Sequence, residues 1–372
     1  MILKELSFKN FRNLKDGSIT VSPDINVVYG KNGQGKTNLL ESIWMLGGLR
    51  SFRSAKDKEL IKQGFNSAEI TAEFFSQDRD QTVRLSILPN KREAEINGVK
   101  KKSASSLIGV CSSVVFSPEH LTMIKNGPGE RRKFLDSAIC RFKPKYANIY
   151  ARYNKILSNR NALLKSISQN GGEDMLEPWN ISLASWGAAL VFERLSYLKL
   201  LRECSGEIYK GISGGVEELS ISYQSSFGVL ENDSMSEIEQ KLLLKLNNSI
   251  KEDINYRFTT IGPHRDDIEI MINQKSARIY GSQGQQRSAV IALKLSEADI
   301  LQQEKDEKPV IILDDVLSEL DMERQKYLLN KTRDRQVFIS CCDKSAVEYL
   351  DCGMIFNVSG GEVTGEKKSE IV

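Results

Sequence analysis

Gly30-Lys31-Asn32-Gly33-Gln34-Gly35-Lys36-Thr37 fits the pattern G-x-x-x-x-G-K-[ST], follows an apolar strand-like run (Ile25 to Tyr29) and opens a helical pattern over Thr37 to Leu46. The glycines let successive backbone N–H groups turn inward around a β-phosphate, and the helix N-terminus adds its partial positive charge. Lys36 is expected to bridge β- and γ-phosphates, and Thr37 to offer its hydroxyl to Mg²⁺. A loop of this kind in a strand-then-helix setting predicts an α/β nucleotide-binding fold.

Working outward, the second half of such a site is expected far along the chain. Val310-Ile311-Ile312-Leu313-Asp314-Asp315 reads as a buried strand ending in two carboxylates at its carboxyl edge, where open α/β sheets bind ligands. Strand alternation assigns Asp314 to the metal shell and Asp315 to the attacking water. Between the motifs lies Tyr280-Gly281-Ser282-Gln283-Gly284-Gln285-Gln286-Arg287-Ser288, ahead of a helix over about Gln285 to Gln303. A serine hydroxyl and an exposed glycine N–H at a helix start suit an anion, although the same residues could form an ordinary helix cap.

The 372 residues, 40% hydrophobic, can bury the core of two domains. No run of 18 apolar residues or leader-like segment stands out, so a cytosolic protein with no membrane partner is expected. Six scattered cysteines indicate neither a zinc ribbon nor a disulfide framework and read as buried thiols, and with two histidines any metal should have oxygen ligands. Strand-like patterns fill the first hundred residues and return at Ile268 to Ile272, Val310 to Leu313, Val337 to Ser340 and Met354 to Val358. Long helical periods occupy Tyr146 to Ile167, Trp179 to Tyr209 and Met235 to Ile250. The expected organisation is therefore one ATPase domain from residues 1–118 and 256–372, interrupted by a mostly helical lobe, 119–255, with a polar, frayed tail from Gly365 to Val372.

Charge is uneven. The net value is +3, yet Glu119 to Lys165 carries eleven basic residues against three acidic ones, an excess of +8. A basic segment on a mildly acidic body is an electrostatic footprint for a polyanion, with Lys125, Arg131, Arg132 and Lys133 as candidate contacts. The alternatives are a solvated helical face, or a Gly129 to Asp136 helix that acts as a lever between lobes.

Several segments together resemble the RecF family of SMC-like ABC ATPases. They are Phe8-Lys9-Asn10-Phe11-Arg12-Asn13-Leu14, the glycine loop with Asn38-Leu39-Leu40-Glu41, and Phe116-Ser117-Pro118-Glu119-His120-Leu121. To these add Gly129-Glu130-Arg131-Arg132-Lys133-Phe134-Leu135-Asp136, Gly262-Pro263-His264-Arg265-Asp266-Asp267, the Ser282 segment, and Leu313 to Asp321. The resemblance runs nearly end to end. It implies an ABC-type head with mixed sheets plus an inserted helical lobe, and an ATP-dependent DNA-binding protein that dimerises around two nucleotides. It further implies weak, DNA-stimulated ATP hydrolysis, partnership with RecR and RecO, and help in loading recombinase at gapped or single-strand-containing DNA.

By motif, ATP is expected to meet Arg12, Gly30, Lys31, Asn32, Gly33, Gln34, Gly35, Lys36, Thr37 and Asn38. Ser282, Gly284 and Gln285 would reach the partner's ATP, with Ser318 to Asp321 beside that site. Lys36 and Asp315 are the expected catalytic residues, and Thr37 and Asp314 the Mg²⁺ ligands. Two departures matter. Asp343 is the nearest polar candidate where transporter ATPases have a histidine, and Asp315 stands where a glutamate is usual, one methylene shorter, which predicts slow hydrolysis. A full SMC subunit is disfavoured because too little heptad sequence separates Thr37 from Ser282. The alternative function is a nucleotide-gated DNA clamp with little catalytic role.

Overall fold

The computed structural model describes residues 1–53, 55–342 and 353–367. The strands are β1 (Ile2–Lys9), β2 (Gly17–Thr20), β3 (Ile25–Tyr29), β4 (Ala68–Ser76), β5 (Arg79–Leu88), β6 (Lys91–Ile96), β7 (Val99–Lys101) and β8 (Ser113–Phe116). They continue with β9 (Leu219–Gln224), β10 (Asp267–Ile272), β11 (Lys275–Ser276), β12 (Val310–Leu313), β13 (Val337–Cys341), β14 (Met354–Ser359) and β15 (Glu362–Lys367).

Two units emerge, one of Met1–Thr122 with the described residues from Arg287 onward, the other Met123–Gln286. In the first, the order β15-β14-β3-β13-β12-β8 is parallel from β14 to β8, with β15 antiparallel at one edge. Parallel strands are covered on both faces and tolerate no polar alternation, which is why Val310 to Leu313 and Val337 to Phe338 read as continuous apolar runs. The antiparallel sheet β2-β1-β4-β5-β6-β7 shares one core with it through the Lys36–Met45 helix. Strict alternation would put Leu3 and Leu6 on opposite faces, yet both are buried. The register slips between Leu3 and Glu5, and this bulge returns both side chains to the core.

The second unit holds the long helices Pro128–Phe142, Pro144–Asn170, Glu177–Ile212 and Met235–Asn248, with the small sheet β11-β10-β9. Here the structure differs from the sequence expectation. Residues 256–286 are expected in the ATPase domain, but β10 pairs along its whole length with β9, a strand hidden in the helical stretch, and so joins the helical unit. Gly365 likewise belongs to β15, paired with Phe356, rather than to a tail.

Candidate nucleotide-binding site

The parallel order brings the carboxyl ends of β3, β13 and β12 to one edge, so three loops remote in sequence become neighbours. After β3 comes the glycine loop. A Cβ on Gly30, at φ +152°, would sit 2.3 Å from the Val358 carbonyl oxygen, and one on Gly35, at φ +121°, 2.9 Å from Asn13 Oδ1. Only glycine lets the loop pass so close to β14 and to the segment after β1. Asn13 Nδ2 donates to the Gly33 carbonyl (3.3 Å), Asn38 Nδ2 donates to Asn13 Oδ1 (2.7 Å), and the Gly360 and Gly361 amides donate to Gln34 Oε1 (2.6 Å) and to its carbonyl (3.1 Å). Asn13 and the β14–β15 turn thus brace the loop from two sides.

Lys36 is 96% withdrawn from solvent, and its Nζ donates to the Gly30 carbonyl at 2.7 Å, with Asn32 Oδ1 at 3.4 Å and Cys342 Sγ at 3.8 Å. Thr37 Oγ1 donates to Asp314 Oδ1 at 3.0 Å, joining residues 277 positions apart. Asp314 is buried at the end of β12, and its carboxyl is pushed up to about 6 by that burial and by the neighbouring Asp315, against hydrogen bonds from Ser340 and Thr37. A buried carboxylate raised in this way gains from a nearby cation.

Asp315 departs from the expected alternation, because it sits in the left-handed region at φ +50° and so does not continue the strand. Its place is set by Ser340, at the carboxyl end of β13. The Ser340 hydroxyl accepts the Asp315 N–H (2.8 Å), donates to Asp314 Oδ1 (2.8 Å) and lies 3.3 Å from Asp315 Oδ1. Nothing local marks this serine, which finds both acids only through the parallel register Leu313↔Ile339. Asp343 lies outside the described residues.

Arg12, expected near the nucleotide, forms a forked ion pair with buried Glu41, Nε and Nη2 donating at 2.9 and 3.1 Å. Ser51 Oγ also binds Glu41, so that carboxylate is satisfied from two sides. Cys342, expected to be a buried thiol, is exposed and donates to Asn32 Oδ1 at 3.0 Å.

In the second unit, Ser282 accepts the Gln285 N–H through Oγ (3.2 Å) while its own N–H donates to Gln285 Oε1 (2.8 Å), a reciprocal cap on the Gln283–Lys305 helix. The helix-cap alternative is therefore realised. The exposed Ser282 keeps its O–H as a donor, so the cap leaves the residue able to meet an anion. Within the first unit, Ser318 Oγ donates to the Asp315 carbonyl at 2.9 Å, and Asp321 caps the Met322–Thr332 helix through the Arg324 N–H at 3.0 Å.

The basic segment divides. Arg131 is buried and donates to Asp267 Oδ1 (2.8 Å) and Oδ2 (2.7 Å), as well as to the Ile124 (3.0 Å) and Asn126 (2.7 Å) carbonyls, so it is a structural arginine and not a phosphate contact. Arg141 and Arg160 are buried too, and Arg160 pairs with Asp253 at 2.7 Å. Lys125 and Lys133 are exposed, and the half-buried Arg132 has Nη1 on the Asp266 carbonyl (2.6 Å). His264 is held at both nitrogens: the Thr259 carbonyl, 3.0 Å from Nε2, can only accept, which puts the proton there and leaves Nδ1 to accept from Tyr153 Oη at 2.7 Å.

The RecF/RecN/SMC N terminal domain model matches residues 2–361. A DNA replication and repair protein RecF of Ruminiclostridium cellulolyticum is 40% identical over 347 residues, covering 92% of this chain and 93% of that protein. That of Thermoanaerobacter pseudethanolicus is 41% identical over 367 residues, covering 98% and 100%. The chain belongs to the RecF family. A solved structure of the recombination mediator protein RecF with ATP in the RecFOR pathway superposes with a TM-score of 0.91 at 40% identity, covering 98% of this chain and 97% of that one. An Smc head bound to the C-terminal winged-helix domain of ScpA gives 0.56 at 17% identity, covering 100% of this chain and 99% of that one, a likeness of fold. No helix among the described residues is long and apolar enough to cross a membrane.

Proposed function

We propose that this chain binds ATP with Mg²⁺, dimerises around two nucleotides, engages gapped or single-strand-containing DNA, and helps load recombinase with RecR and RecO as partners, slow ATP hydrolysis resetting the cycle. One observation carries the nucleotide part: the hydroxyl after the loop lysine and the acid ending a strand far along the chain meet at 3.0 Å. A hydroxyl and a single carboxylate suit Mg²⁺, which keeps waters and phosphate oxygens in its shell, and the described residues hold no cluster of three or more His, Cys, Asp or Glu that could make a fuller cage. When bound, the ion would neutralise charge on the β- and γ-phosphates.

The chain's own residues supply the rest. Backbone amides of 30–37 would cradle the phosphates, Lys36 would leave the Gly30 carbonyl for phosphate oxygens, and Asp315, held by Ser340, would orient water. Its short side chain and its fixed backbone favour slow turnover. Lys125, Arg132, Lys133, Lys145, Arg152, Lys155 and Lys165, exposed or half-buried, would give sequence-independent, salt-sensitive DNA affinity.

Sedimentation with and without ATP, in the presence of a gapped duplex, tests nucleotide, dimer and DNA together. Asp315→Asn should lengthen the dimeric, DNA-bound state while abolishing turnover, and Lys36→Met should lose both. A Lys36→Met protein that dimerises on DNA with ATP affinity intact ends the proposal.

A further inference from the structure

Tyr256-Arg257-Phe258, at the end of the Ile250–Tyr256 helix, interleaves aromatic and basic residues outside every motif discussed above. Tyr256 is 59% exposed and Phe258 39%, and the rings are stacked with centroids 5.7 Å apart and planes at 25°. The Arg265 guanidinium lies 4.7 Å from the Phe258 centroid. Isolated exposed aromatics are ordinary, but an ordered stack of two rings and a guanidinium in solvent is not.

The stack stands on a rigid base. Arg257 takes the left-handed conformation, φ +61°, which turns the chain out of the helix between the two rings. The fully buried Arg160 donates to Asp253 Oδ2 (2.7 Å) and Thr259 Oγ1 (2.8 Å), and Asp253 Oδ1 accepts from the Thr260 N–H (2.8 Å). Asn161 Oδ1 accepts the Thr259 N–H at 2.8 Å, and His264 Nε2 donates to the Thr259 carbonyl. An ion pair of this burial is a poor source of stability by itself, but here it fixes Thr259 and Thr260, immediately after Phe258.

We infer that Tyr256, Phe258 and Arg265 form a stacking platform for unpaired nucleobases. Every base offers a π-face, so a flat aromatic surface is sequence-tolerant, and the ordered rings lose little freedom on binding. The exposed cations Lys251, Arg257 and Arg265 against Glu252 complement a phosphate backbone running past the rings. Paired bases are already stacked and cannot use the surface, so the platform distinguishes single-stranded from duplex DNA, a distinction that phosphate contacts alone do not make. This inference rests on the DNA-binding reading above and deepens it by naming the structure recognised.

Fluorescence anisotropy of the full chain with ATP and Mg²⁺, on a blunt duplex and on the same duplex with a thymidine tail or an abasic tail of equal length, tests it. The thymidine tail should bind more tightly than the abasic tail, which carries the same phosphates. Tyr256→Ala should lower thymidine-tail affinity by about tenfold, as for the loss of one base–aromatic stack, with the blunt duplex unchanged and Tyr256→Phe restoring the gain. Equal binding of the two tails by the wild-type protein overturns the platform, as does a Tyr256→Ala variant that keeps the gain, the result expected of a protein-docking patch. An equal loss on tailed and blunt DNA also overturns it. Absence of all DNA binding instead defeats the function proposed above, and the platform with it.

Discussion

Replacing Ser340 by alanine tests how the two acids at the end of β12 are held. The hydroxyl is 2% exposed and makes two short bonds, accepting the Asp315 N–H at 2.8 Å and donating to Asp314 Oδ1 at 2.8 Å. A neutral hydrogen bond contributes about 0.5–1.5 kcal/mol and one to a charged group about 1.5–3, so Ser340→Ala should lose about 2–4 kcal/mol. Part of that loss is the Asp315 N–H left without its acceptor beside a left-handed backbone that already costs about 1–2 kcal/mol. Freed from this tie, Asp315 should wander from the place in which the proposed mechanism needs it to orient water, and a displacement near 1 Å can cost about a hundredfold in rate. Guanidinium unfolding of the apo-protein and single-turnover ATP hydrolysis give the two readings. Ser340→Thr keeps the hydroxyl and should recover most of both. Unfolding midpoint and hydrolysis rate both unchanged in Ser340→Ala would refute the bridge.

Three further perturbations are informative. Arg131→Ala should destabilise the protein by about 3–5 kcal/mol, since it leaves Asp267 without its forked partner, whereas Lys133→Glu should be nearly silent in unfolding and reduce the salt slope of DNA binding; equal effects on stability would contradict the division of the basic segment. His264 is pushed down to about 4 by burial from an ordinary value near 6.5. The unfolded chain therefore takes up a proton that the folded chain refuses, so stability present above pH 6.5 should fall by about 3 kcal/mol as pH drops to 4, and pH-dependent unfolding of His264→Asn should show a flatter slope over that window. Gly30→Ala should cost about 2–4 kcal/mol and abolish ATP binding by calorimetry, because the new methyl meets the Val358 carbonyl at 2.3 Å.

What could be read from sequence follows from how local each signal is. Lys36, Thr37 and Asp314 sit where an apolar run stops, next to glycine or acid, and their neighbours announce them. Ser340 ends an equally apolar run but is a lone serine, and its role exists only in the strand register. Arg131 and Arg132 are adjacent and chemically alike, so a charge count treats them as equals. Their fates diverge because one residue is about 100° around the helix, which turns Arg131 toward Asp267 and Arg132 toward the edge. Strand β9 was hidden for the same reason, six residues between long helices whose identity depends on pairing with β10 some 50 positions later. Asp315 lies past the end of β12 at φ +50°, where strand alternation no longer sets the direction of a side chain.

The two braces on the glycine loop come from opposite ends of the chain. Residues 30–37 emerge early, but the Asp314 carboxylate, the Ser340 hydroxyl and the Gly360–Gly361 amides that complete their surroundings are translated hundreds of codons later. A polypeptide interrupted before position 310 carries the loop without its acid, its serine or its clamp. The groups that meet Thr37 and clamp Gln34 are thus among the last parts of the fold to be made, so the loop is completed only in a chain that reaches the β14–β15 turn.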